Sequence, residues 1–448
     1  MEAIAYGIDF GTTNSGIAVA YEDGSTQVVA APTSVTPSTV YLHRNRNRLS
    51  GPDAVRAYLD TGAASTHCRN CDLVTWTGSG PVTDCLQVAA AGKCQDARLL
   101  AQLKADLTSD GFTTTHSWGL DFTLEDLVAV VLRRLKVAAD RHTGQDVRRL
   151  ALGHPVRFSG AEGLEHSRLQ GLAKSRLERA AELAGFTEGI VLVEESKAAV
   201  ALDDVGDGLL VCTDFGGGTF DVAVADVTGH RTDILDLGGV AVGGEEFNAK
   251  IVDTFVRPHL GFDREFVMWD GQRRSLPASV RTHLRSLSGL KVLLTSNVAL
   301  DIASQYRGRG NDEVLDFIEQ LLYFGQAYRF YDAIETAKIE LSERESTSIK
   351  LRSVNLDLDI PVNRSDFERA IQRDLDRVRD CIEDSLEDAG VSAHEVEFVT
   401  KTGGSSQLPV FQRMLSELFP EAVIVDSEPF TSVVSGLASY AFEEWGVD

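Results

Sequence analysis

Two stretches of the chain align position by position without a gap: Asp9-Phe10-Gly11-Thr12-Thr13-Asn14-Ser15-Gly16-Ile17-Ala18-Val19-Ala20 and Asp214-Phe215-Gly216-Gly217-Gly218-Thr219-Phe220-Asp221-Val222-Ala223-Val224-Ala225. Each begins with Asp-Phe-Gly, passes a small polar tip and leaves along an apolar arm, and the second is also entered along one, Leu210-Val211-Cys212-Thr213. Apolar arms around a Gly-rich tip read as strand, tight turn, strand, with the arms in a buried sheet. Glycine and threonine at the tip let backbone N–H groups close on an anion, and phosphate suits such a tip. One copy alone reads equally well as an ordinary hairpin turn. Two copies in one register imply a chain of two similar halves whose tips face one site.

At 448 residues and 43% hydrophobic content, with a mean hydropathy of -0.08, the chain reads as a soluble protein able to bury two or more cores. The 67 acidic residues outnumber the 43 basic ones, for a net charge of -24. That balance argues against nucleic acid or an anionic membrane as partner, and no apolar run approaches the roughly 20 residues of a membrane helix. Met1-Glu2-Ala3 leads straight into the first strand without a basic and apolar leader, so the expected compartment is cytoplasmic. Six cysteines do not make a disulfide scaffold in a chain of this length. Cys68, Cys71, Cys85 and Cys94, with His67 adjacent, have the membership of a zinc knuckle, but only the first pair is tightly spaced. The expectation is loose thiols in a variable insertion.

Between the hairpins, the passage from Ala63 to Gly92 lacks periodicity and is expected to decorate a peripheral subdomain. A helix is expected to resume at Ala97, with Leu99, Leu100, Leu103 and Leu107 setting Lys104 beside an apolar stripe. Thr123-x-x-Asp126 is a capping box opening a helix that runs to Gly144, and Ser365-x-x-Glu368 is read as a second box. Strands are expected at Leu150–Gly153, closed by His154-Pro155, and at Ile190–Val193, with Glu194 and Glu195 at the carboxyl end. His154 is expected to be a packed histidine rather than a base. Gly243-Gly244-Glu245-Glu246 opens another helix and suits a phosphate or metal-water contact, or a plain acid-rich helix start. Strands and helices alternating around two hairpins give mixed α/β layers, with strand-end carboxylates as candidate chemistry.

Five stretches together resemble the ATPase domain of the 70-kDa heat-shock (DnaK-type) chaperones, within the actin-like ATPase superfamily: Ile8 to Thr13, Glu195 with Ala198-Ala199, Asp214 to Asp221, Gly403 to Pro409, and Ser432 to Ala438. The order and spacing are similar to the family's over nearly the whole chain, and the length is similar to that of its short, YegD-like branch. The resemblance implies an α/β, actin-like ATPase fold: two lobes, each a ribonuclease-H-like mixed sheet plus a peripheral subdomain, with a nucleotide cleft between. Residues 1–205 are then lobe I, with a peripheral subdomain at about 39–117 and the last helix, 425–448, packed back on it. Residues 206–424 are lobe II, with a peripheral subdomain at about 246–344, and no substrate-binding domain is expected. ATP/ADP and Mg2+ are the implied cofactors. By the same resemblance Asp9 and Asp214 hold the metal through waters, while Gly11, Thr12, Thr13, Asn14, Gly216, Gly217, Gly218 and Thr219 wrap the phosphates. Lys104 reaches the γ-phosphate, Glu195 and Asp221 orient the attacking water and the metal shell, and Pro155 relays nucleotide state. Glu335, Lys338 and Ser342 touch the ribose and base, with Gly403, Gly404 and Ser405 beneath the adenosine.

The chain departs from that pattern in three places. Ile339 and Gln407 stand where the family usually has arginines on the adenine faces, removing cation–π contacts of roughly 0.5–2 kcal/mol each. Phe430 replaces an aspartate of the last motif, and no apolar linker or β-rich peptide-binding domain is expected after Asp448. The leading expectation is a slowly hydrolysing nucleotide switch that engages an unidentified protein client or cochaperone. The alternatives are a filament-forming actin-like ATPase and a sugar- or acetate-type kinase of the same superfamily.

Overall fold

The computed structural model describes residues 1–30, 33–43, 47–61, 76–77, 80–81, 97–112, 114–117, 120–160, 165–200, 205–229, 231–267, 271–287, 289–290, 313–323, 326–353, 356–426 and 431–446. His67, the four clustered cysteines and Phe430 lie outside the described residues.

The strands of the two large sheets are numbered here in chain order. In the first, β1 (Ala3–Phe10) and β2 (Asn14–Tyr21) form the first hairpin, followed by β3 (Thr26–Val28), β4 (Arg149–His154) and β5 (Gly189–Glu194), in the spatial order β5-β4-β1-β2-β3. In the second, β6 (Gly208–Phe215) and β7 (Phe220–Thr228) form the other hairpin, followed by β8 (Arg231–Val240), β9 (Phe398–Thr402) and β10 (Val423–Asp426), in the order β10-β9-β6-β7-β8. The two orders are the same, and the first sheet has in addition a short strand, Thr36–Pro37, paired with β2. In each sheet the hairpin and the next strand pair antiparallel, while the two later strands add in parallel on the other side. Register agrees as well: Asp9 lies opposite Gly16 and Asp214 opposite Asp221, the pairs matched in the gapless alignment. Central parallel strands covered on both faces need near-continuous apolar sequence, which Leu150-Ala151-Leu152 and Leu210-Val211-Cys212 supply.

Helix α1 (Leu124–Thr143) starts as its sequence predicts: the Thr123 side chain accepts from the Asp126 N–H at 3.1 Å, the Asp126 carboxylate accepts from the Thr123 N–H at 3.0 Å, and Gly144 ends the helix in the left-handed region. Helix α2 (His166–Ala184) lies against it in the first core. The other helices used below are α3 (Glu195–Val200), α4 (Gly244–Ile251), α5 (Ala327–Glu343), α6 (Arg364–Ala389), α7 (Pro409–Leu418) and α8 (Ser432–Trp445). The cap of α6 differs from the sequence reading. Asn363, not Ser365, accepts from the Asp366 N–H, so the helix already starts at Arg364. The region of Lys104 differs too: Ala97–Leu100 is a strand paired with Val40–His43, and Lys104 sits in a 3-10 turn, Leu103–Asp106. Gln102, with φ 59, breaks the continuity a helix needs; among the described residues it is the one non-glycine with positive φ.

Each sheet has its own apolar core, and a third cluster of small residues joins them. There α3 and α8 cross at close range: a Cβ on Gly436 would lie 1.8 Å from the Ala198 carbonyl oxygen, and one on Gly7 of β1 would lie 2.4 Å from the Ala438 nitrogen. Alanines such as Ala5, Ala18, Ala223 and Ala225 line this seam, and their small side chains let the sheets and the two helices approach closely. No described helix is long and apolar enough to cross a membrane.

Candidate functional site

The two hairpin tips face each other. A Cβ on Gly217 would meet Thr13 Oγ1 at 2.9 Å and one on Gly218 would meet Thr12 Oγ1 at 2.7 Å, so side chains there would close the gap between the tips. Neighbouring elements hold the second tip by its carbonyls. Gly216 O accepts from Gly244 N–H (3.1 Å) and Ser405 Oγ (2.8 Å), Gly217 O from Glu245 N–H (2.7 Å), and Gly218 O from Ser159 Oγ (3.0 Å). With the carbonyls engaged elsewhere, the tip is left to present amides, the requirement for an anion cradle. Between the tips opens a cavity of about 610 Å³.

Asp9, Asp214, Glu195 and Lys104 line its floor. Asp9 and Asp214 occupy equivalent places at the ends of β1 and β6, and Glu195 begins α3 where β5 stops. Lys104 Nζ donates to Glu195 Oε1 at 2.6 Å, with both side chains under 10% exposed. The turn bearing Lys104 is fixed from behind by buried Arg176 of α2, whose guanidinium donates to the carbonyls of Leu107, Ser109 and Phe112. Burial, with the neighbouring Glu195 charge, drives the Asp9 and Asp214 carboxyls up to about 8, against which Lys104 pulls only partly. Burial works to lower the Lys104 ammonium, but Glu195, Asp9 and Asp221 outweigh it and the lysine lies above its ordinary range.

The walls carry the remaining sequence candidates. Gly11, Thr12, Thr13, Asn14, Gly216, Gly217, Gly218 and Thr219 line the tips, Gly244 lies at the start of α4, and Glu335, Lys338 and Ser342 lie along α5. Gly403, Gly404 and Ser405 form the turn after β9. Gly403 needs to be glycine: its φ is +84, and a Cβ would lie 2.4 Å from Phe215 O and 2.7 Å from Asp214 Oδ1. Lys338 Nζ donates to Glu335 Oε2 at 2.8 Å and to Gly244 O at 3.2 Å, tying α5 to α4, and Asn248 also donates to Glu335. Although burial opposes it, Lys338 holds the Glu335 carboxyl below its usual value.

Two candidates stand behind the wall. Gly243 packs under the second tip, where a Cβ would lie 2.6 Å from the Gly217 carbonyl. Asp221 is fully buried, pushed up to about 7 by burial, and its Oδ1 accepts from the Val156 N–H at 2.7 Å. It thereby ties β7 of one lobe to the segment following β4 of the other. His154 is buried against Phe158, with rings 6.1 Å apart, and its Nδ1 lies 2.8 Å from Pro155 O, a packing role. Sequence reasoning left Glu343 and Gln412 off the cavity wall, where both lie, and neither carried a local signal. Glu245, read as an acid at a glycine-opened helix start, also lines the cavity and accepts from Gln102 across the cleft.

A divalent cation fits the floor. Asp9 Oδ1 is buried with no hydrogen-bond partner among the described residues, and two carboxyls that burial makes reluctant to ionise are what a cation would relieve. No three metal-ligating side chains are grouped among the described residues. Mg2+ would fit two such carboxylates, because it keeps most of its waters and takes one or two carboxylates beside phosphate oxygens. The arrangement offers amide cradles, two buried aspartates that could take a cation, and two lysines, Lys104 on the floor and Lys338 on the wall, and phosphoryl transfer to water asks for positioning and charge rather than a side-chain nucleophile.

A family model described as "Hsp70 protein" matches residues 5–263 and 325–441. The chain is 24% identical over 442 residues to a mitochondrial heat shock 70 kDa protein of Solanum tuberosum, covering 96% of this chain and 54% of that one. It is 26% identical over 453 residues to the chaperone protein DnaK of Deinococcus proteolyticus, covering 98% of this chain and 59% of that one. The chain thus spans a little over half the length of these curated relatives.

Proposed function

The chain belongs to the Hsp70 family and has the actin-like ATPase fold of that family, and from this premise we propose that it is a nucleotide switch of the cytoplasm. It binds ATP with Mg2+ between its lobes, hydrolyses it slowly and changes the separation of the lobes as it does so, engaging a protein client or cochaperone through that motion. The observation that carries the reading is the pair of facing hairpin tips over a floor of Asp9, Asp214 and the Lys104–Glu195 pair. The proposed division puts residues 1–205 and the last helix in one lobe and 206–424 in the other.

On this reading the amides of Gly217, Gly218 and Thr219, with Thr12 and Thr13 opposite, bind the triphosphate chain and hold it in line. Asp9 and Asp214 take the cation through its waters. Mg2+, when bound, neutralises charge building on the phosphate oxygens in a loose transition state. Lys104 is placed to stabilise the transferring group, and its bond to Glu195 fixes that carboxylate where it can orient a water. Asp221, through the Val156 N–H, joins the second tip to the other lobe, so movement at Thr219 is felt across the cleft. Ile339, 57% exposed at the mouth, and Gln407 offer no cation to the base, which makes adenine binding weaker than a two-arginine clamp would give.

Phosphate release from ATP in Mg2+, together with sedimentation velocity in ATP and in ADP, tests the reading. The expectation is slow turnover abolished by Asp9→Asn, and a monomer whose sedimentation coefficient differs between the two nucleotides. Rapid ATP-driven growth of polymers, or no turnover above the Asp9→Asn background, would overturn it.

A further inference from the structure

We propose that the base end of the cleft accepts guanine nucleotides as well as adenine ones, and that the Glu343 carboxylate is the group that reads guanine. The inference rests on the nucleotide reading above.

Glu343 is the last residue of α5, one turn beyond Ile339, and both line the cavity. An acid in the last turn of a helix faces the negative end of the macrodipole, which disfavours it; a lysine or arginine is the stabilising choice there, and α5 has neither in its last turn. The other acid of that turn, Glu340, is compensated by Arg344 at 3.8 Å and by the Thr347 hydroxyl. Glu343 has no ion-pair or hydrogen-bond partner among the described residues. It is an exposed, unpaired carboxylate on the wall of the cavity, set against the helix dipole.

Two glutamines line the same cavity. Gln407 uses one of its two amide N–H groups on Ser406 Oγ at 3.3 Å, which leaves its carbonyl oxygen and second N–H open, and Gln412 of α7 also lines the cavity. The lining thus includes aliphatic Ile339, Leu408 and Pro409 together with the Glu343 carboxylate and two side-chain amides. A carboxylate accepts only, with two oxygens side by side. Guanine offers a matching pair of donors, N1–H and the N2 amine, on adjacent atoms. Adenine offers only its N6 amine next to an unprotonated N1, which a carboxylate repels. A flat purine fits between the aliphatic walls in either case. The adenine form has the glutamine amides, which can rotate to donate and accept, and the guanine form has Glu343.

Calorimetric titration of the full chain with ADP, GDP and IDP in Mg2+ tests this, because IDP is GDP without the N2 amine. The expected result is GDP binding within tenfold of ADP and IDP roughly tenfold weaker than GDP. Glu343→Gln is expected to weaken GDP about tenfold, remove the GDP–IDP difference and leave ADP within twofold. Normal ADP binding with GDP more than a hundredfold weaker would overturn the proposal while leaving the nucleotide reading intact. So would a Glu343→Gln variant that binds all three like the parent. If none of the three binds, the nucleotide reading itself is wrong and this proposal goes with it.

Discussion

Replacing Lys104 by methionine removes one end of an ion pair 2.6 Å long whose side chains are 8% and 6% exposed. The aliphatic stem is kept, so packing changes little and the effect is electrostatic. Orphaning one member of a buried pair costs about 3–5 kcal/mol when the remaining charge has no escape. Here the escape is a proton held on the neighbouring Asp9 and Asp214 carboxyls, and it depends on pH. Asp9 and Asp214 already titrate near 8 in the fold against an ordinary carboxyl value of 3.8, and loss of the ammonium pushes them higher still. A carboxyl whose folded pKa is raised favours the fold below its unfolded value and loses that contribution as pH rises toward the folded value. The Lys104→Met deficit should therefore grow with pH, from about 2 kcal/mol at pH 6 to about 4 kcal/mol at pH 8.5, as fewer carboxyls can hold a proton. Urea unfolding in EDTA at both pH values reads it. Lys104→Met with Glu195→Gln should recover most of the loss, because the double variant leaves no unpaired charge. A deficit below 1 kcal/mol at both pH values, or simple additivity in the double variant, would refute the buried-pair reasoning.

The same carboxyls predict that the ligand-free protein becomes less stable as pH rises from about 4 to about 8, and that Asp214→Asn flattens the slope while eliminating Mg2+-dependent turnover; thermal melts across that range, with and without Mg2+, check both. Ile339→Arg restores a cation at the cleft mouth and should tighten ATP by up to about tenfold, roughly 1.4 kcal/mol, read by calorimetry; unchanged affinity means the base is held otherwise. Gly436→Val should destabilise the fold by about 3 kcal/mol or more in a melt, since even a Cβ lies 1.8 Å from Ala198 O on the crossing helix; a shift under 1 kcal/mol would contradict the close packing of α3 and α8.

The duplicated hairpin was legible because both copies keep Asp-Phe-Gly and an uninterrupted apolar exit, so one alignment carries strand, turn, register and site. Helix α1 was legible because Thr123, Asp126 and Gly144 are local signals that act within one turn of the helix they bound. The surroundings of Lys104 were not: four leucines mimic a helical stripe, while Gln102 in the left-handed region and pairing to Val40–His43 decide for a strand and a 3-10 turn. At α6, Ser365-x-x-Glu368 matched a capping template, but Asn363 reaches the Asp366 N–H first. Asp221 could be marked as polar in an apolar strand, yet its bond to Val156 spans 65 residues and has no local signature. Glu343 escaped because an acid at a helix end is ordinary in a sequence with 67 of them; only its place on the cavity wall makes it notable.

The central claim, that both halves serve one ligand, is tested most directly by titrating Mg2+·ATP into the parent chain, Asp9→Ala and Asp214→Ala in one calorimeter. The two aspartates come from different halves and line the same cavity. The predicted result is one site per chain, with binding that depends on Mg2+ and is weakened at least tenfold by either substitution. Two independent sites, loss in one variant with parental affinity in the other, or no binding by the parent chain at millimolar ATP would contradict it.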